Sequence, residues 1–320
     1  MAKNSKSTRP ARRRPKPAAR SMPPPAETEN AVDLTDPFPA SSTGAVSEYP
    51  KPAKAYKNLD FLNSPASRLI RIQCELTEPA GRFRKHHVHN TIVLFGSARI
   101  PHPKDAAAEL KRIEKQVGGD KSISREQKSK LEKARRLNRA ARYHEDAMRL
   151  SHDLTKWSME KIPEQNKRFY ICSGGGPGIM EAANRGAKEA GGKSVALGIS
   201  LPFEQHLNQY ATEELGFEFH YFFVRKYWFL YLAKALVVFP GGFGTMDELF
   251  ELLTLVQTRK TRKYVPIILY GKEFWNEVVN FRALLEWGVI SEEDLDLFRV
   301  CDSVEETRDY LINELTSCYL

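Results

Sequence analysis

Four cysteines in 320 residues stand far apart, at positions 74, 172, 301 and 318, with no C-x-x-C pair and no framework spacing. That scarcity excludes a disulfide scaffold and a cysteine-built zinc centre, and it fits a reducing cytoplasm. Long apolar runs are missing too. None approaches the roughly 18 residues a membrane-spanning helix needs, and the start of the chain lacks the hydrophobic stretch of a secretory signal, so no membrane partner is expected. No G-x-x-x-x-G-K-[ST] occurs, which excludes an ATP-hydrolysing P-loop. Acid is absent from residues 1 to 24, which carry eight Lys or Arg, so the other 296 residues hold only +1 of the chain's net +9. Prolines at 10, 15, 17, 23 and 24 oppose the amphipathic helix of an import peptide and favour a solvated tail.

Residues 1 to 57, rich in Pro, Ala, Ser and charge, bury too little to offset chain entropy and are expected to be a disordered tail. Residues 58 to 320 then form one domain. Ser67 to Leu76 reads as a helix packed on that domain or on a neighbour, and the histidines at 86, 87 and 89 lack companions at metal-ligand spacing, so no metal is expected. Residues 104 to 142 hold thirteen basic and six acidic side chains. They read as two charged helices broken at Gly118-Gly119-Asp120, with Ser124-Arg-Glu-Gln127 as a capping box, within an insertion spanning 101 to 142. A net +7 there could draw an acidic partner or nucleic acid, but such a run is more often a solvated helical face, and the mildly acidic remainder offers no general polyanion surface.

Beyond the insertion, Tyr143, Ala147, Leu150, Leu154 and Trp157 form a stripe suited to covering a sheet. Strands are expected at 91–95, 169–172, 194–200, 219–223, 235–239 and 265–270. Helices follow at about 225–234, 245–257, 273–286 and 303–316. Strict alternation implies an α/β, doubly wound, Rossmann-like parallel sheet. Three strand candidates run into glycine turns: Gly96-Ser97, Gly174-Gly175-Gly176-Pro177-Gly178, and Pro240-Gly241-Gly242-Phe243-Gly244-Thr245-Met246-Asp247-Glu248. In a parallel sheet all three lie at the carboxyl edge, where such folds bind ligands. The third also opens a helix, so its N–H groups can cradle an anion. Thr245 and Glu248 fit equally a structural T-x-x-E capping box. The second turn lacks the third glycine of a dinucleotide fingerprint, and no carboxylate ends the next strand, so NAD, FAD or another cofactor is not expected. Arg225-Lys226 starts the helix before the third turn; if the fourth strand ends at Phe223, Arg225 faces the cleft near Glu248, though a surface arginine is the plainer reading.

Together these residues resemble the Lonely Guy (LOG) family, long labelled lysine decarboxylase-like. The carriers are P-G-G-F-G-T-M-D-E at 240–248, Arg225-Lys226 lying 23 residues before Glu248, the 174–183 glycine motif and Gly96-Ser97. The likeness spans about 90 to 100 and 143 to 290, and the insertion and tail group the chain with larger bacterial members. It implies hydrolysis of the N-glycosidic bond of a nucleoside 5′-monophosphate, AMP or a cytokinin ribotide, to free base and ribose 5-phosphate, by a homodimer. Glu248 and Arg225 would be catalytic. Gly241, Gly242, Gly244 and Thr245 would hold the phosphate, with Gly96, Ser97 and the 174–176 glycines beside it and Lys226, Glu251 and Thr254 as neighbours. The alternative is a non-catalytic nucleotide-binding sensor on the same fold.

Overall fold

The inner strands of this chain are short apolar runs without alternation, such as Ile92-Val-Leu-Phe95 and Ala235-Leu-Val-Val238, buried throughout. Such runs need helices on both faces of a parallel sheet. A computed structural model describes residues 52–117, 123–201 and 206–320 and has that arrangement. After a 3-10 turn at Ala55–Lys57, α1 (Leu59–Asn63) and α2 (Arg68–Lys85) precede β1 (Asn90–Phe95). The insertion supplies α3 (Pro103–Val117) and α4 (Arg125–Ala140), and α5 (Arg142–Lys161) leads to β2 (Phe169–Ser173). Next come α6 (Ile179–Glu189), β3 (Ser194–Ile199), β4 (Gly216–Phe219), α7 (Phe222–Leu232) and β5 (Ala233–Val238). The chain ends through α8 (Phe243–Gln257), β6 (Ile267–Tyr270), α9 (Lys272–Val278), α10 (Phe281–Glu286), β7 (Arg299–Cys301) and α11 (Val304–Tyr319).

The strands pair in parallel in the order β4-β3-β2-β1-β5-β6-β7. This is a doubly wound, Rossmann-like α/β sheet whose winding reverses between β1 and β5. On one face Leu150, Leu154, Ala183 and Leu311 of α5, α6 and α11 close the core; on the other lie Phe83, Trp228, Phe229 and Leu249 of α2, α7 and α8. No helix among the described residues is long and apolar enough to cross a membrane.

Several expectations hold in detail. Ser124 and Gln127 form the capping box of α4, and α2 packs on its own domain, with Phe83 4.8 Å from Phe217 and 5.3 Å from Trp228 between ring centroids. The break at 118–120 and residues 1–51 of the tail lie outside the described residues. Other expectations are corrected. The fourth strand is Gly216–Phe219, not 219–223, because the Glu75 carboxylate accepts the N–H groups of His220 (2.9 Å) and Tyr221 (3.3 Å) and turns the chain into α7. Phe222 and Phe223 are consequently exposed helix residues. The helix expected over 273–286 is two, because the Asn280 side chain accepts the Ala283 N–H and caps a second start. Three-residue β7, exposed along its edge, was too short for its pattern to show.

Candidate active site

The Ser97 backbone ties the three glycine turns together. Its N–H donates to the Pro240 carbonyl (3.0 Å) in the third turn, and its own carbonyl accepts the Ile179 N–H (3.1 Å) just past the second. Packing is so close that a Cβ on Gly178, whose φ is +69°, would lie 2.4 Å from the Ser97 oxygen. Gly96 sits equally tightly on Ile179. The expected convergence of the turns at one edge is therefore physical contact.

In the second turn Gly175 takes a φ of +74°, and a Cβ on Gly174 would meet Arg225 Nη2 at 2.7 Å. A buried amide network, which the motif reading overlooked, fixes this loop. Asn208 Nδ2 donates to the carbonyls of Gly175 (3.0 Å) and Gly176 (3.2 Å) and to Asn184 Oδ1 (2.9 Å), which also accepts the Ser173 hydroxyl (2.7 Å). Asn184, fully buried, donates onward to Ser194 Oγ (2.9 Å). A polar side chain among the small buried residues Ala182, Ala183, Gly186 and Ala187 was the available signal.

The third turn corrects one reading. The N-cap of α8 is Gly242, with no side-chain cap, so Thr245 and Glu248 lie inside the helix and do not form a capping box. Gly242 and Gly244 border open space, while Gly241 cannot carry a side chain, since a Cβ there would fall 2.1 Å from Thr245 Oγ1. The first N–H groups of α8 therefore stand at a helix start with no side-chain cap, an arrangement that attracts anions.

Glu248, 4% exposed, is one turn further in. Its Oε2 has no hydrogen-bond partner among the described residues. Burial drives its pKa up to about 7, against the opposing pull of Arg225 and Lys226 and with help from Glu251 and Asp247. The two cations are themselves engaged. Arg225 donates Nε to the Leu197 carbonyl (2.7 Å) and lies 5.0 Å over the Phe229 ring. Lys226 Nζ bridges Asp247 (2.8 Å) and Glu251 (3.0 Å). Burial works against that lysine's charge, but the two carboxylates outweigh it and raise its pKa. Thr254 is not brought to the turns; exposed, it returns its hydroxyl to the Phe250 carbonyl (2.7 Å).

Residues 180–311 match the family model described as "Possible lysine decarboxylase". The match takes in Arg225, the third turn and Glu248, and supports the family to which the motifs point. No curated protein matches the chain significantly. Solved structures similar to it include TM1055, a structural-genomics target (17% identity, TM-score 0.40, covering 70% of this chain and 99% of that one). A molybdenum cofactor binding protein from the phototrophic bacterium Rippkaea orientalis is similar at 18% identity and TM-score 0.35, covering 53% and 87%. The Moco carrier protein from Chlamydomonas reinhardtii is similar at 16% and 0.38, covering 71% and 98%. Nothing about activity follows from likeness at that level.

The carboxyl of Glu248 yields a stability test. A folded-state pKa near 7 against the ordinary 4.5 of a glutamate means that folding favours the protonated form. The carboxyl therefore costs nothing below about pH 4.5 and costs most above pH 7, roughly 2–4 kcal/mol at about 1.4 kcal/mol per unit. Glu248→Gln should raise the urea midpoint at pH 8 and leave it nearly unchanged at pH 4; an equal shift at both would show that the fold does not favour protonated Glu248.

Proposed function

We propose that the chain hydrolyses the N-glycosidic bond of a nucleoside 5′-monophosphate, releasing the base and ribose 5-phosphate. The observation that carries this reading is the buried Glu248, whose pKa burial raises to about 7, set one helical turn behind an uncapped helix start. A phosphate at the N–H groups around Gly242 and Gly244, beside the Thr245 hydroxyl, anchors the ribose, so C1′ can lie against the carboxyl. Cleavage builds oxocarbenium character at C1′, which the ionised carboxylate stabilises. Water adds to C1′ as the C1′–N bond breaks. Glu248 takes the water proton and passes it to the base, which leaves with the bonding electron pair. A pKa near the working pH suits both transfers. Arg225, reaching across Gly174, orients the sugar or the departing base, and the Lys226–Asp247–Glu251 set keeps α7 and α8 in register.

A lysine decarboxylase reading finds less support in the lysines. A Schiff-base lysine must reach a neutral amine. Lys226 is instead held charged by two carboxylates. Lys263, whose amine burial lowers to about 7, precedes β6 at the opposite edge of the sheet and donates to the carbonyls of Leu230 and Tyr231.

A homodimer is part of the proposal. Phe223, Tyr227 and Tyr231 recur every four residues along α7, 58%, 43% and 57% exposed, on the helix that also carries Arg225 and Lys226. Sedimentation velocity should give twice the chain mass, and a monomer at micromolar concentration would contradict this.

The activity test is ribose 5-phosphate release from AMP, CMP and isopentenyladenosine monophosphate. Turnover should rise with pH through about 7 as Glu248 ionises. Glu248→Gln should lower kcat by about 100- to 10,000-fold, the usual worth of a general acid or base, while keeping nucleotide binding. Tight binding without product from any of the three would favour the sensor instead.

A further inference from the structure

Beyond β3 the chain returns across the second glycine turn, and residues 206–211 are bound there at several points. The Asn208 N–H donates to the Gly175 carbonyl (2.7 Å), and its side chain reaches Gly175, Gly176 and Asn184. Lys188 of α6 donates to the Gln209 carbonyl (3.1 Å), and the Tyr210 ring lies 5.5 Å from Arg185 and 5.7 Å from Lys188. This strap therefore belongs to the α6 face of the sheet. Leu207 plugs a niche of three glycines: its methyls lie 2.5 Å from where a Cβ on Gly175 would stand, and 2.8 Å from one on Gly198 or Gly216.

Arg225 approaches the same strand ends from the other face, where α7 packs. Its guanidinium is held at two points. Nε donates to the Leu197 carbonyl (2.7 Å), and Nη2 lies against Gly174, 2.7 Å from where a Cβ would stand. Ser173 of β2 and Ala196 of β3 are register partners, so Gly174 and Leu197 follow them side by side. Each of the two points is one residue from a glycine that Leu207 presses upon, Gly175 in one case and Gly198 in the other. Glycine backbone adopts many conformations unless something outside it selects one, and Gly175 is held at a φ of +74°. The strap supplies that selection from behind.

We propose that Leu207 and Asn208 are positioning residues for Arg225. They fix the ends of β2 and β3 from the α6 face, so that the guanidinium crossing Gly174 from the α7 face keeps one orientation. The third turn, which holds the phosphate in the glycosidase reading, is tied to Ser97 instead, so a loosened strap leaves phosphate binding in place. The placement of Arg225 rests on this packing alone; its effect on turnover rests on the glycosidase reading.

The test joins a spectrum to kinetics on the full chain. In protein labelled with 15N-arginine, the Arg225 Nε–H resonance, assigned by its absence from Arg225→Ala, should show the slow solvent exchange of a hydrogen-bonded donor and lose that protection in Leu207→Ala. On a nucleotide that the wild type cleaves, Leu207→Ala should lower kcat about 10- to 100-fold and keep KM within about threefold, the cost of misplacing a group without removing a substrate contact. Leu207→Met should restore both the protection and kcat. Should Leu207→Ala fail to fold, Leu207→Val, which draws the methyls back by one carbon, carries the same measurements. An unchanged Arg225 resonance, an unchanged kcat, or a fall in kcat with an equal loss of AMP affinity would overturn the proposal. Lost protection in a chain that cleaves none of AMP, CMP and isopentenyladenosine monophosphate would sustain the positioning and remove the glycosidase reading. Cleavage of any of them with an unchanged Arg225 resonance would do the reverse.

Discussion

Two backbone hydrogen bonds at Ser97 hold the whole site in place. β1 is the strand between the two halves of the sheet, paired to β2 on one side and β5 on the other. Its loop alone can touch the loops after both. Ser97 does so with its N–H to Pro240 and its carbonyl to Ile179, and Phe239 continues the ladder by donating to the Phe95 carbonyl at 2.8 Å. Buried backbone groups must find partners, so the three turns cannot drift apart without stranding these donors and acceptors. Glycine at 178 and 241 lets the loops close to that distance, because any side chain there would strike Ser97 or Thr245.

Inside that frame the electrostatics follow from which cations are already committed. Lys226 is neutralised by Asp247 and Glu251, and Arg225 is drawn toward the Leu197 carbonyl and the Phe229 ring. Neither compensates fully for the removal of Glu248 from water, so desolvation prevails and the carboxyl titrates near neutrality. A buried carboxyl with one oxygen unpartnered among the described residues, behind a helix start, is costly for stability and useful for proton transfer.

Much of this was legible from residue patterns. Runs such as Ala235-Leu-Val-Val238 declare a strand buried on both faces, and the glycine turns behind three such runs declare the edge that binds ligands. Ser124 and Gln127 declare a helix start because capping is local chemistry. What failed was decided at a distance. Glu75 ends β4 and starts α7 from 145 residues away in sequence, and no periodicity near Phe219 records it. Thr245 and Glu248 match a capping box by spacing, but the helix begins at Phe243, because the turn at Gly241 and Gly242 delivers the chain early. Asn208 was invisible as a site residue for the same reason: its partners come from the second turn and α6.

The titration of Glu248 tests the central claim most directly. With side-chain carboxyl 13C-labelled glutamate, its resonance can be followed by NMR from pH 4 to 9, with and without ribose 5-phosphate. A midpoint near 7 that moves upward when the phosphate binds is the expected result, because a nearby dianion further disfavours the carboxylate. A midpoint near the ordinary 4.5, or one indifferent to ribose 5-phosphate, would contradict a buried acid poised beside the cradle.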